Sequence, residues 1–308
     1  MRLMIIALLL QALAAPDPLQ MEKAPDLGYA PVPHSFVLPS GLSWGAPSGV
    51  ATSSQGHVLV LNRGPYPLLE FDADGHFVRS LGEGRYVRSH GLRLDAQDNI
   101  WTTDVNAHIV TKMGPDGKVL LVLGVNGQAG EWNEAAKSRL LNQPNDVAIG
   151  PGGDIFVVQG HGVGDPRVLR FDKAGTFITS WGGKGTGPGQ FDLAHSIVID
   201  AQNLVYVADR QNRRVQIFDL NGKFIKEWKF AGLPCGLYIG RDRQMYLVTG
   251  YAGQILKLDG NGKALAATGQ PGKNLGEFGE AHFMTFGPKG EIYVADTIKP
   301  SLEKFVKK

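Results

Sequence analysis

Three of the eight histidines in this 308-residue chain share one setting, because each directly precedes a short apolar run. They are His90, His195 and His282, and the runs read GLRL, SIVI and FMTF. Three neutral imidazoles around an open fourth position are the ligand set of a catalytic zinc ion. The alternative is that the histidines fill a buried space and hydrogen-bond to backbone carbonyls. A metal site requires elements that bring three distant parts of the chain together.

The apolar runs belong to a pattern that occurs six times along the chain. The six runs begin at Gly49, Gly91, Asp146, Ser196, Gly236 and Phe283. After each run come a turn with Asp, Gly or Asn and a second run, and further apolar runs follow. Short β-branched and aromatic runs between glycine turns are typical of antiparallel strands. The 275 residues from 34 to 308 divide into six units of about 46 residues, which suits a four-stranded propeller blade.

We therefore predict an all-β, single-domain, six-bladed β-propeller with four antiparallel strands in each blade. The last unit ends after its third apolar run, so its fourth strand must come from the N-terminal side of the repeats. The available segment is His34–Leu38, which would close the ring. A short helix is predicted only within Glu131–Leu141, where the sequence contains EAAKSR.

The repeat register predicts where the histidines meet. When the six units are aligned by their first strands, His90, His195 and His282 occupy the same position in units two, four and six. The other units carry Ser48, Asn145 and Cys235 there. First strands line the central channel of a propeller, and alternate blades of a sixfold ring are about 120° apart. The three imidazoles should converge on the channel axis and hold one zinc ion.

A second position in the register carries arginine in two units. Fifteen residues after the aligned position come Arg63 in unit one and Arg210 in unit four, and these two units face each other across the ring. A planar guanidinium binds a carboxylate through two parallel hydrogen bonds. The pair predicts an anion-accepting mouth beside the metal, the alternative being surface arginines that bond neighbouring loops.

The composition and the N-terminal residues limit the classes of protein to which this chain could belong. There are 31 basic and 29 acidic residues with 43% hydrophobic residues, which excludes a disordered chain and argues against a nucleic-acid partner. Residues 1–15 carry a basic start, an apolar run and a small-x-small site, as in a signal peptide, and residues 16–33 suggest a Pro-rich linker. We expect export to a bacterial periplasm or secretion, without stable membrane insertion after cleavage. An uncleaved N-terminal anchor is the alternative.

Two resemblances follow from these motifs. The Gly-rich loops Gly182–Phe191 and Gly269–Phe278 resemble those of the NHL-repeat family. The stretches LNRG at 61–64, SHGL at 89–92 and FDLAHS at 191–196 resemble the peptidyl-α-hydroxyglycine α-amidating lyase family. That resemblance implies a six-bladed propeller with zinc on His90, His195 and His282, and with Arg63 and Arg210 at the substrate mouth.

The chain departs from that family at several positions. His161 stands where the family has a catalytic tyrosine, and Glu280 replaces a methionine two residues before His282. The resemblance also implies a calcium site that uses carbonyls corresponding to Val50 and Leu92. Phe283 replaces an aspartate of that site, so we expect calcium to be lost or weakened. Candidate catalytic residues are therefore Arg63, His161, Arg210 and Glu280.

If the resemblance extends to the reaction, the substrate is an N-acyl-α-hydroxyglycine and the products are an amide and glyoxylate. His161 or Glu280 would act as the base, and the arginines would bind the carboxylate. One alternative is a metal-dependent hydrolase or lyase acting on another small carboxylate. Another is a non-catalytic propeller that binds a protein or peptide on the face opposite the metal. The lone Cys235 excludes an internal disulfide, and we interpret it as a small filler rather than a reactive thiol.

Overall fold

Six four-stranded antiparallel sheets make up the part of the chain that the structure describes, residues 17–162 and 164–308. The structure is a computed structural model, and the predicted signal peptide lies outside the described residues. Blades one to three contain β2 (Ala46–Thr52), β3 (Val58–Arg63), β4 (Leu68–Phe71), β5 (Phe77–Leu81), β6 (Ser89–Leu94), β7 (Ile100–Asp104), β8 (Ile109–Met113), β9 (Val119–Leu123), β12 (Pro144–Ile149), β13 (Ile155–Gln159), β14 (Arg167–Phe171) and β15 (Phe177–Gly182). Blades four to six contain β16 (Ala194–Ile199), β17 (Val205–Asp209), β18 (Arg214–Phe218), β19 (Phe224–Lys229), β20 (Gly236–Ile239), β21 (Met245–Val248), β22 (Ile255–Leu258), β23 (Ala264–Thr268), β26 (Ala281–Phe286), β27 (Ile292–Asp296), β28 (Leu302–Lys307) and β1 (Tyr29–Val32). The predicted all-β, six-bladed propeller is confirmed.

The turn between the third and fourth strands of a blade repeats one hydrogen-bond pattern in four blades. An aspartate carboxylate accepts the backbone N–H groups two and four residues later, and a glycine with positive φ stands three residues after the aspartate. The pairs are Asp72 and Gly75, Asp172 and Gly175, Asp219 and Gly222, and Asp259 and Gly262. The turns form because Asp satisfies nearby N–H groups and Gly adopts positive φ without steric cost.

The ring is closed by a different segment from the one predicted. Strand β1 (Tyr29–Val32) pairs antiparallel with β28, so the N-terminal side does complete the last blade. The proposed segment His34–Leu38 is wrong, because His34 has a positive φ of 51° that ends the extended chain. Phe36 instead packs edge-on against Phe71 and Tyr293, at centroid distances of 5.1 and 5.4 Å.

The predicted linker at 16–33 therefore contains a strand of the propeller, and the predicted boundary at residue 34 comes too late. The prolines of this segment are typical of a linker, but they are also compatible with an edge strand. The closing strand is the outer edge of its sheet, where a residue without an N–H group is tolerated. Pro31 pairs with Phe305 in this strand.

The predicted helix within Glu131–Leu141 is also wrong. This segment forms a small hairpin of β10 (Trp132–Asn133) and β11 (Ser138–Arg139). Trp132 packs edge-on against Phe171 at a centroid distance of 4.7 Å, and Lys137 has a positive φ of 54°. Partial burial of the indole against blade three outweighs the helical propensity of the EAAK sequence. The remaining short elements are β24 (Gln270–Pro271), β25 (Glu277–Phe278) and a 3₁₀ turn at Pro151–Gly153.

The first strand of each blade lines the channel, and first strands of neighbouring blades contact one another. Between blades, apolar side chains form separate buried layers, as where Phe156 and Val158 of blade three meet Val207 and Phe218 of blade four. Within the described residues, no helix is long and apolar enough to cross a membrane.

The closing strand gives a first test. Tyr29 is 7% exposed, and its hydroxyl donates to the carbonyl of Gly290 at 3.0 Å. Tyr29→Ala should lower the free energy of unfolding by about 3–5 kcal/mol, because a buried aromatic ring is lost. Chemical denaturation would measure the change. Val37→Ala is the control, since Val37 is 67% exposed; an equal or larger loss there would contradict the assignment of the closing strand.

Candidate metal centre

The three histidines of the repeat register meet on the channel axis. His90, His195 and His282 lie at the starts of β6, β16 and β26, and their side chains are buried. Their ring centroids are 4.6 to 4.8 Å apart. One nitrogen from each ring lies within 4.8 Å of the other two. The predicted convergence of units two, four and six is therefore present.

Each imidazole is oriented by a backbone carbonyl of the next blade. Nδ1 of His90 is 2.7 Å from the carbonyl oxygen of Asn145. Nδ1 of His195 is 3.0 Å from that of Cys235. Nδ1 of His282 is 2.6 Å from that of Ser48. A carbonyl only accepts, so Nδ1 carries the proton in each ring and Nε2 keeps its lone pair.

The free nitrogens fit a metal ion. Nε2 of His90 and Nε2 of His195 are buried, and neither has a hydrogen-bond partner among the described residues. Burial lowers the pKa of all three histidines well below the usual value, and the neighbouring cations and imidazoles lower it further. Neutral imidazole is the form that binds metals. The hydrogen bonds to backbone carbonyls that the alternative interpretation expects are present at Nδ1. They leave Nε2 on each ring, which a metal ion could bind. This cluster can hold a metal ion.

His161 joins this cluster from the loop after β13. Its ring centroid is 4.9 Å from that of His90 and 6.1 Å from that of His195. Burial, followed by Arg88, Arg210 and Arg63, lowers the pKa of His161 to about 4. His161 is therefore neutral at pH 7 and lies beside the three predicted ligands.

Arg63 lies at the end of β3 on the rim of the site. Its Nε donates to the carbonyl of Ser89, the residue before His90, at 3.0 Å. Burial and the repulsion from Arg88 lower the pKa of Arg63 to about 10. The predicted alternative for this arginine, a bond to a neighbouring loop, is thus present at Nε. The two Nη groups have no hydrogen-bond partner among the described residues.

Arg210 is bound by Glu280. One Nη of Arg210 donates to the Glu280 carboxylate, whose other oxygen accepts from the hydroxyl of Thr297. The guanidinium also lies over the ring of Tyr251 at 5.3 Å. Burial alone would lower the pKa of Arg210, but Cys235 and Glu280 raise it above the usual value. Both oxygens of Glu280 are thus engaged in hydrogen bonds within the chain.

Cys235 occupies the aligned position in blade five. Its thiol is buried, and burial raises the pKa of the thiol to about 11. The thiol is therefore protonated at neutral pH, which supports the interpretation as a filler rather than a reactive group.

A second buried cluster lies under the histidines, and the sequence did not predict it. The ring of Phe283 stacks against His195 at a centroid distance of 5.9 Å, and the Arg93 guanidinium lies 5.2 Å from the centroid of the same ring. Arg93 donates to both carboxylate oxygens of Asp146 at 3.0 and 2.6 Å. It also donates to the hydroxyl of Ser196 and the carbonyl of Leu237, at 3.1 and 3.3 Å. One cation of blade two thus contacts blades three, four, five and six.

Val50 and Leu92, the residues implied for calcium, are buried in the same part of the channel. They line a cavity of about 520 Å³ together with Arg93. Phe283 offers no oxygen ligand at the position where the resemblance implies an aspartate. The weakening of a calcium site stays a prediction, and so does a protein partner on the face opposite the metal.

The residues two positions before each histidine are placed by a repeated aspartate. Asp104, Asp209 and Asp296 each accept backbone N–H groups from the segment that leads into the first strand of their own blade. Arg88 precedes His90 in this way, and Glu280 precedes His282. The three aspartates therefore fix the rim of the site.

A family model described as a 6-bladed beta-propeller matches residues 134–295. This match covers more than half of the chain. The chain belongs to the six-bladed β-propeller family.

Similar proteins support the resemblance stated from the sequence. The propeller is 33% identical over 233 residues to the peptidyl-glycine alpha-amidating monooxygenase of Mus musculus, across 65% of this chain and 23% of that protein. It is 32% identical over 169 residues to the peptidyl-alpha-hydroxyglycine alpha-amidating lyase 1 of Drosophila melanogaster, across 51% of this chain and 30% of that protein. The chain thus matches less than a third of the length of either relative. The predicted likeness to amidating lyases is confirmed.

Solved structures agree on the fold. A streptogramin B lyase structure superimposes on the propeller with a TM-score of 0.64 and 18% identity, covering 91% of this chain and 97% of that one. At this identity the likeness shows the fold alone.

Removal of one histidine should abolish metal binding. His195→Ala should reduce the bound metal from about one ion per chain to near zero, because only two imidazoles remain. Mass spectrometry of the purified variant would measure the metal content. His76→Ala is the control, since the His76 side chain is 79% exposed and lies outside the channel. Full metal retention in His195→Ala would remove the proposed site.

Acid should destabilise the metal-free protein in a predictable direction. The channel histidines have lowered pKa values in the folded state, so the stability that they contribute is present above about pH 6.5 and is lost as pH falls. Each histidine adds a slope approaching about 1.4 kcal/mol per pH unit between its two pKa values. Urea unfolding of chelated protein at about pH 7.5 and about pH 5.5 brackets the unfolded-state pKa and would measure the slope. His282→Gln should have a shallower slope than the parent, and equal slopes would contradict the assignment.

Proposed function

We propose that this propeller is an exported, zinc-dependent lyase that cleaves an N-acyl-α-hydroxyglycine to an amide and glyoxylate. The observation that carries the proposal is the orientation of the three imidazoles. Each Nδ1 is committed to a carbonyl, which leaves Nε2 of each ring with its lone pair in a cluster whose nitrogens lie within 4.8 Å of one another. His90, His195 and His282 would hold the ion there.

The names of the relatives favour this reaction among those that three histidines can support. The Drosophila melanogaster protein is named for amidating-lyase activity on peptidyl-alpha-hydroxyglycine. The chemistry that zinc supplies when bound is Lewis acidity, which lowers the pKa of a coordinated hydroxyl group.

His161 would transfer the proton. It is neutral at pH 7, since its pKa is lowered to about 4, and its ring lies beside that of His90. As the hydroxyl proton passes to His161, the carbon–oxygen double bond of glyoxylate forms and the carbon–nitrogen bond breaks. His161 then returns the proton to the amide nitrogen, so the reaction consumes no water and needs no oxidant.

The remaining parts of the proposal concern export and substrate. The basic start and apolar run of residues 1–15 support secretion or a periplasmic location. The arginines on the rim support a substrate that carries a carboxylate, whether a peptide or a small molecule.

The direct experiment is glyoxylate release from N-acetyl-α-hydroxyglycine by purified protein, before and after chelation. The proposal expects release that chelation removes and that added zinc restores. His195→Ala provides the matched control for spontaneous breakdown of the substrate. Metal-loaded protein that releases no more glyoxylate than this variant would overturn the lyase assignment.

His161 allows a sharper test of the mechanism. His161→Ala should lower kcat by about 100-fold or more, because a positioned proton carrier is lost. His161→Tyr should retain more activity than His161→Ala, since a phenol can also transfer a proton. Metal content should stay at the parental value in both variants. Unchanged kcat in His161→Ala would remove the proton-transfer role.

A further inference from the structure

We propose that Arg63 and Arg88 form the carboxylate-binding site of the channel mouth, and that Glu280 withholds Arg210 from this task. The inference deepens the proposed function and rests on it for the nature of the substrate. Arg88, rather than Arg210, is then the second residue that binds the carboxylate together with Arg63.

Arg210 already has an anionic partner. Its guanidinium is paired with the Glu280 carboxylate, and Glu280 is in turn held by Thr297. The Arg210 side chain is only 9% exposed. Nε of Arg210 is buried and has no hydrogen-bond partner among the described residues, but a substrate carboxylate that approached it would be repelled by the negative charge of the paired Glu280.

Arg63 and Arg88 have no such partner. Among the described residues, the only hydrogen bond of the Arg63 side chain is from Nε to the Ser89 carbonyl. The Arg88 side chain is exposed, and it has no hydrogen bond, ion pair or ring contact with any described residue. The two guanidinium groups repel each other, since Arg88 contributes to the lowered pKa of Arg63. The attraction of Glu280 and Asp104 offsets burial and this repulsion only in part, because the pKa of Arg63 still falls to about 10.

The repeat register places Arg88 on the rim of the histidine cluster. Arg88 stands two residues before His90, as Glu280 stands two residues before His282. The Asp104 carboxylate accepts the N–H of Arg88 at 2.9 Å, and the Asp296 carboxylate accepts the N–H of Glu280 at 3.1 Å. Equivalent backbone anchors put the two side chains at equivalent points around the axis. Arg63 lies next to this point, because it bonds the carbonyl of the residue after Arg88.

The ligand chemistry follows from the charges. The rim carries three guanidinium groups around neutral imidazoles. Glu280 is paired with Arg210, and Asp104 and Glu280 act on Arg63 only through longer-range attraction, so no carboxylate of the described residues hydrogen-bonds to the guanidinium of Arg63 or Arg88. A planar carboxylate matches the hydrogen-bond geometry of guanidinium groups and would bridge Arg63 and Arg88. The neutral acyl-amide part of the same substrate would not need either residue.

The test measures equilibrium binding, which requires no turnover. Calorimetry with metal-loaded protein would compare N-acetylglycine, which has the carboxylate but no hydroxyl group, with N-acetylglycinamide, which lacks the charge. Arg88→Ala should weaken binding of N-acetylglycine by about tenfold or more, as expected for a lost charged hydrogen bond. Binding of N-acetylglycinamide should not change. Arg85→Ala is the matched control, since Arg85 is a nearby exposed arginine outside this register.

Glu280→Gln separates the two arginine assignments. If Glu280 withholds Arg210, this variant should bind N-acetylglycine more tightly, because a third guanidinium is released. Weaker binding would show that Glu280 instead presents Arg210 to the ligand, and would overturn the inference. Equal affinity of the parent and Arg88→Ala for N-acetylglycine would also overturn it.

Failure of this inference and failure of the proposed function are distinguishable. Glyoxylate release with no effect of Arg88→Ala on binding would leave a lyase with a different carboxylate site. Loss of N-acetylglycine binding in Arg88→Ala without glyoxylate release by the parent would leave a carboxylate-binding channel that catalyses another reaction.

Discussion

The hydrogen bonds from three histidine Nδ1 atoms to backbone carbonyls are the constraint on which the site depends. They join the six aligned residues into three pairs, each with an imidazole from one blade and a carbonyl from the next. A shift of one blade along its neighbour would break a pair and turn an imidazole away from the axis. The register of the whole ring and the direction of the Nε2 lone pairs are therefore set together, which is how a repeated sheet fold brings together three imidazoles that can hold a metal ion.

The three hydrogen-bonded histidines make this part of the channel polar, and the side chains around them determine the chemistry of the site. The ring of Phe283 contacts all three imidazoles, at centroid distances of 4.9 to 6.0 Å. His161 packs against His90, and burial and the three arginines of the rim lower its pKa. Because Glu280 pairs with one arginine and no carboxylate of the described residues hydrogen-bonds to the guanidinium of the other two, the field at the mouth is asymmetric as well as positive. A carboxylate-bearing ligand would be oriented by that asymmetry as well as attracted by the charge.

Much of this arrangement follows from the sequence because repeats turn spacing into geometry. Six apolar patterns predicted six blades, and their register predicted that His90, His195 and His282 meet. The closing strand was misplaced because Pro31 suggests a linker, whereas an outer edge strand tolerates proline. The Arg93 cluster and the pairing of Arg210 with Glu280 could not be predicted, since they join side chains from different blades that no repeat relates. The place of Arg88 at the site could have been predicted from its position two residues before His90 and from the recurring aspartate that binds its backbone N–H group.

Arg93 also bears on how the ring assembles. Its hydrogen-bond partners are 53, 103 and 144 residues away along the chain. Contacts of such long sequence separation form after local hairpins, because the intervening chain must first lose its conformational freedom. The guanidinium can reach all of its partners only when blades two to six have docked around the axis. Its bonds would therefore mark the completion of the ring during folding rather than guide the early blades into place.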